Sequence, residues 1–146
     1  MRILHVCVGG SSRQLGTGHI IRGINLLGAI ADSKSHELSV LTNSDKFKEI
    51  PNLNLHVTDS LSKIELKLKD PSFLSNFEII MFDALDTFSQ SYKFIKTQNK
   101  IILGIDVSKN LSLIDIRLNP SIRSSNVFLS GFHYSIINPE LHLLAE

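Results

Sequence analysis

The chain has 146 residues, 15 Lys+Arg against 14 Asp+Glu for a formal net charge of +1, and 42% hydrophobic residues. That length suits one domain with a sizeable core, and the balanced, scattered charge removes the electrostatic case for a nucleic-acid partner. A single cysteine, Cys7, excludes an internal disulfide, and no apolar run approaches the ~20 residues needed to cross a bilayer.

Residues 3–8 form an apolar run and predict a buried strand. Residues 18–33 predict a helix with Ile21, Ile24, Leu27 and Ala31 on one face. Residues 37–41 predict a second strand, and Ser44 is placed to cap a short helix through residue 49. Residues 53–57 predict a third strand with His56 facing outward. Residues 58–69 predict a helix capped near Thr58 or Ser60. Its basic stretch from Lys63 to Lys69 alternates with Ile64, Leu66 and Leu68 and fits a solvated face beside a buried stripe. Pro71 starts a short helical turn. Residues 77–83 form a strongly apolar run, and these and residues 101–105 predict central strands. Between them, residues 87–97 predict a helix with Phe88, Tyr92 and Ile95 on one face. Residues 113–118 and 127–129 are short strand candidates. The alternation implies an α/β fold, a Rossmann-like parallel sheet with helices on both faces. Ligands of such sheets bind beyond the carboxyl ends of the strands. The loop after Val8, Asp83 and Asp106 all fall there.

The richest segment is Leu15-Gly16-Thr17-Gly18-His19-Ile20-Ile21-Arg22. It lies between the first strand and the first helix. Glycines let a ligand approach the backbone, and a helix start presents free N–H groups suited to phosphate. A dinucleotide fingerprint starting at Gly16 needs a third glycine where Ile21 stands, and a Walker loop needs lysine where Thr17 follows Gly16. His19 is a candidate acid or base. On local pattern alone it is equally an ordinary residue at a tight strand-to-helix turn. Arg22 lies three residues further on and shares its helical face, fit to hold substrate or simply to be solvated. Asp83 and Asp106 end apolar strands, either as substrate contacts or as loop caps. Ser11, Ser12 and Arg13 are polar loop residues within reach of such a ligand.

Gly16-Thr17-Gly18-His19-Ile20-Ile21-Arg22 resembles the Gly-x-Gly-His-x-x-Arg signature of the UDP-diacetamido-trideoxy-altropyranose hydrolases of pseudaminic acid synthesis, which group with MurG-like GT-B glycosyltransferases. The likeness continues in order along the chain. Glu78-Ile79-Ile80-Met81-Phe82-Asp83 and the run from Lys100 to Asp106 resemble the family's strands ending in Asp. Leu118-Asn119-Pro120 resembles its Leu-Asn-Pro step. Gly131-Phe132-His133-Tyr134-Ser135-Ile136-Ile137-Asn138-Pro139-Glu140 resembles its Gly-x-x-Tyr-x-x-x-x-Pro-Glu segment. The chain departs from the pattern at Val8-Gly9-Gly10, where the family carries Arg-x-Asp, and at Ala84-Leu85, where it carries His-Tyr.

The resemblance implies the N-terminal half of a GT-B fold, spanning residues 1–146, with His19 as catalytic base. It implies substrate contacts by Gly16, Thr17, Gly18, Arg22, Asp83 and Asp106. The substrate implied is a UDP-sugar, hydrolysed at its anomeric carbon with release of UDP. The UDP is then held mainly by a second half absent from these residues, so a C-terminal domain or a partner subunit is expected and the isolated chain is expected to be inactive. Glycosyl transfer uses the same base and stays open, as does a non-catalytic half that docks a nucleotide-binding subunit. No cofactor and no metal are expected: the histidines show no zinc spacing, and Cys7 lies in a strand pattern as a small core residue. The chain runs straight into strand pattern without a signal-peptide core, so the cytoplasm is the expected compartment.

Overall fold

In a computed structural model, the structure describes residues 1–10, 18–31, 36–84, 86–119 and 129–130. Seven strands form one sheet: β1 Arg2–Cys7, β2 Glu37–Thr42, β3 Leu53–Val57, β4 Ile79–Asp83, β5 Ile101–Ile105, β6 Ile116–Asn119 and β7 Leu129–Ser130. Their order is β3-β2-β1-β4-β5-β6-β7, and every pair is parallel. Among the described residues the helices are α1 Gly18–Ala31, α2 Leu61–Leu68, α3 Pro71–Leu74 and α4 Tyr92–Thr97, with 3-10 turns at Lys46–Glu49, Ser89–Ser91 and Leu111–Leu113. The fold is α/β and Rossmann-like, as the alternation predicts. The chain reverses its direction of strand addition between β1 and β4, the crevice where doubly wound sheets take ligands.

Strand alternation splits the core in two. Leu4, Val6, Ile80, Phe82 and Ile102 face α2, α3 and α4, packing with Ile64, Leu68, Tyr92 and Ile95. Ile3, Cys7, Leu38, Val40, Met81 and Ile105 face α1, packing with Ile20, Leu27 and Phe47. Helices therefore cover both faces, although Ile101 and Ile116, at the starts of their strands, stay 43% and 39% exposed.

Several local expectations change. The buried stripe of α1 is Ile20, Gly23 and Leu27, whereas Ile21 is exposed. The cause is Gly23. A Cβ there would stand 3.0 Å from Cys7 Sγ and 3.1 Å from His5 Cε1, so α1 approaches β1 along this line. Residues 32–33 of the predicted helix lie outside the described residues. Within 87–97 the chain turns first as 3-10 and then as α4, yet Phe88, Tyr92 and Ile95 are all buried as expected. In α2 the 3.6-residue period buries Ile64 and Leu68 and leaves Leu66 exposed. Ser60 provides the cap, its hydroxyl accepting from Lys63 N. Ser44 accepts from Lys46 N at 3.3 Å ahead of a 3-10 turn. His56 is half-buried rather than outward, because α3 lies over it and Phe73 meets its ring edge-on at 5.2 Å. Among the described residues, no helix is long and apolar enough to cross a membrane.

Candidate functional site

Three strand ends and one helix start build the site. Cys7 pairs with Asp83 across β1 and β4, and Asp106 follows the last residue of β5. The first turn of α1 brings His19 and Arg22 to these ends. His19 Nδ1 lies 2.7 Å from Asp83 Oδ1. Arg22 Nε donates to Asp83 Oδ2 at 2.8 Å and Nη2 donates to Oδ1. Arg22 Nη1 donates to Asp106 Oδ2 at 2.5 Å. The guanidinium thus grips one carboxylate through two nitrogens and a second carboxylate through the third.

Burial opposes the charge on Asp83, but the hydrogen bonds from Arg22 and His19 overcome it and hold this carboxyl below the usual range. Burial likewise opposes the charge on Arg22, and its bonds to Asp83 and Asp106 outweigh that and push its pKa up. Nδ1 of His19 also lies 3.1 Å from Arg22 Nη2. One ring nitrogen cannot donate to Asp83 and accept from Arg22 at once. An ionised Asp83 only accepts, so the network assigns the neutral ring's proton to Nδ1. Nε2 then carries the free lone pair. The contact with Arg22 arises because both groups converge on Oδ1.

Exposure separates the roles. The side chain of Asp83 is 0% exposed, while His19, Arg22 and Asp106 keep 13%, 16% and 25%. Asp83 is therefore covered by His19 and Arg22, and those two, with Asp106, reach solvent. Asp106 adopts a left-handed backbone with φ 53, a conformation Asp tolerates better than most residues. Its N–H donates to Leu118 O at 3.1 Å.

Of the residues singled out in the sequence, His19, Arg22, Asp83 and Asp106 come together. Gly18 opens α1, with no described residue within 4 Å of where its Cβ would be. Gly16 and Thr17 lie outside the described residues, as do Ser11, Ser12, Arg13 and Tyr134.

Two features escaped the sequence. Asp86 accepts from Ser108 N at 2.9 Å, Lys109 N at 2.8 Å and the Ser108 hydroxyl, tying the loop after β5 to that after β4. Nothing in the local pattern marks it. The second is a cluster behind the site. His5, Cys7 and Asp83 are all buried, and their ligand-type atoms lie within 4.8 Å of one another. Cys7 Sγ donates to His19 O at 3.1 Å. Burial pushes its thiol pKa up, with the Asp83 charge adding to the effect. His5 is fully buried and, among the described residues, neither ring nitrogen has a hydrogen-bond partner. Burial lowers its pKa to about 4. Zinc spacing along the sequence missed this group because Asp83 comes from another strand. The i, i+2 strand period alone puts His5 and Cys7 on one face.

A cavity of about 340 Å³ lies elsewhere, between α3 and the first three strands, lined by Arg2, Ser39, Asn54, His56 and Phe73 among others. It opens toward the amino ends of the strands and shares no residue with the His19 group.

No protein-family model matches the chain, and no curated protein matches it. Among solved structures the chain is similar to the DNA/pantothenate metabolism flavoprotein from Streptococcus pneumoniae, at 15% identity and a TM-score of 0.56. The match covers 84% of this chain and 81% of that one. At that identity the likeness shows the fold, a Rossmann-like α/β sheet.

Proposed function

We propose that the chain is the base-bearing half of a UDP-sugar hydrolase, the N-terminal half of a GT-B-type enzyme. The observation that carries this reading is the hydrogen bond between Asp83 and Nδ1 of His19. It fixes the tautomer and leaves Nε2 as the proton acceptor, the arrangement by which a buried carboxylate prepares an imidazole for general-base work. The position at the β1–β4 crevice and the Gly-x-Gly-His-x-x-Arg resemblance support it further.

In the proposed reaction His19 Nε2 takes a proton from water. The water oxygen bonds to the anomeric carbon as the bond from that carbon to the diphosphate oxygen breaks. UDP leaves as the diphosphate. Arg22 and Asp106, partly open to solvent, contact the sugar, while Asp83 is a positioning residue. The nucleotide is held by a second half, in a C-terminal domain or partner subunit. The compartment is the cytoplasm, where a thiol such as that of Cys7 stays reduced.

The test is release of UDP from a panel of UDP-sugars, with and without sugar acceptors. It uses the whole encoded protein and, separately, the 146-residue chain. Release without acceptor by the whole protein supports hydrolysis, and release only with acceptor replaces it by transfer. No release from any UDP-sugar would sink the reading.

A further inference from the structure

We propose that His5, Cys7 and Asp83 form a binding site for a thiophilic divalent cation of the zinc type, directly behind His19. Three donors of the right chemistry meet there: an imidazole, a thiol and a carboxylate. The register explains why. Cys7 sits opposite Asp83 on paired strands, and His5 lies two residues earlier on the same face. Their ligand atoms fall within 4.8 Å of one another. Zinc bonds of about 2.0–2.3 Å place tetrahedral donors about 3.3–3.8 Å apart, so closure needs side-chain shifts of roughly 1 Å.

The independent observation is His5. The residue is 0% exposed, yet among the described residues neither ring nitrogen has a partner. Buried polar groups are nearly always paired, and an orphan invites a missing ligand. Gly23 of α1 lies directly over the group, so close that a Cβ there would stand 3.0 Å from Cys7 Sγ and 3.1 Å from His5 Cε1.

The charges also close. Arg22 with Asp83 and Asp106 sums to −1. Binding displaces the Cys7 proton to solvent, which brings the sum to −2, and the dication then makes it 0. Asp83 must turn part of its carboxylate from His19 and Arg22 toward the ion, while Arg22 retains Asp106. The cation therefore competes with the hydrogen bond that orients His19. This last consequence rests on the hydrolase reading, but the site itself does not.

Cobalt(II) is the probe. The chain holds one cysteine, so any thiolate-to-cobalt charge-transfer band reports Cys7 alone. Adding one equivalent of Co²⁺ to the chain should give that band, and Zn²⁺ should bleach it. Cys7→Ser should abolish it. His5→Phe should weaken Co²⁺ binding by at least about tenfold, the loss that even an outer partner of a metal ligand carries. If His5→Phe does not fold, X-ray absorption of the zinc-loaded wild-type chain decides. One sulfur with imidazole scattering in the zinc shell supports the site, and a shell of oxygen alone overturns it. The absence of a band in the folded wild-type chain, or equal affinity in a folded His5→Phe chain, overturns it as well. These readouts need no substrate, so their failure is distinct from failure of the hydrolase reading.

Discussion

Asp83 and His19 are 64 residues apart in sequence and joined by a 2.7 Å hydrogen bond at the meeting of β4 and α1. One buried carboxylate thus serves an imidazole and a guanidinium together. The imidazole is held in one tautomer, and the guanidinium keeps the carboxylate ionised.

In the whole enzyme, His19→Asn is expected to lower kcat by ~10²–10⁴, the usual worth of a general base. UDP affinity should stay nearly unchanged, because the nucleotide is assigned to the other half. Steady-state kinetics and UDP calorimetry check both. Near-normal kcat in a folded variant removes His19 from the chemistry.

Asp83→Asn and Asp106→Asn should differ in stability. Breaking a buried ion pair typically costs ~3–5 kcal/mol. Arg22 keeps Asp106 when Asp83 is neutralised, so a loss of about 2–3 kcal/mol is expected. Asp106 is more exposed, and its loss should cost at most about 1 kcal/mol. Asn tolerates the left-handed backbone at position 106, so strain does not confuse the comparison. Urea unfolding of the two variants measures it, and equal losses would contradict the ranking.

Stability should fall as pH falls from about 6.5 to about 4. His5 titrates near 6.5 when unfolded and is lowered by burial to about 4 in the fold. In that window the unfolded chain takes a proton that the folded protein refuses. The loss reaches about 3 kcal/mol, an order-of-magnitude figure, and is complete below the folded value. His56, also lowered, first by burial and then by Lys67, adds in the same direction. Below this window Asp83 begins to lose its own contribution, since its folded pKa is lowered. Unfolding across pH for wild type and His5→Phe should show the slope flattened in the variant.

Tyr92→Phe should leave stability unchanged or raise it by up to about 1 kcal/mol. The hydroxyl of Tyr92 is buried without a partner among the described residues, while its ring packs against Phe82 at 4.8 Å. Removing the hydroxyl keeps the packing and lifts a desolvation cost. A clear loss in thermal unfolding would mean that the hydroxyl has a partner in solution.

The inner strands were legible because burial on both faces leaves near-continuous apolar runs, as in β1 and β4, whereas edge strand β3 was read from its alternation of Leu53 and Leu55 with Asn54 and His56. Residues 53–57 and 101–105 match β3 and β5 at both ends. The rotation of α1 was not legible. Ile21 fits an apolar stripe as well as Ile20 does, and the choice is made by Gly23 against Cys7, a contact between separate elements. His19 and Arg22 were readable as one helical face. Their partner was not, because an Asp ending a strand caps a loop as readily as it holds an imidazole. Asp86 depends on Ser108 and Lys109, distant in sequence, and the pairing of His5 and Cys7 with Asp83 depends on another strand.

The fastening of Arg22 to Asp83 and Asp106 spans 61 and 84 residues of chain. Contacts of such separation form late, after the loops between them have closed. The crevice therefore matures only once β4 and β5 have docked beside β1, and no peptide confined to the first strand and helix can reproduce it. A molecule gripping that crevice selects the completed sheet over every partly folded form. It should raise the melting temperature of the entire unit, and protect the amides of β4 and β5 from exchange as strongly as those of α1.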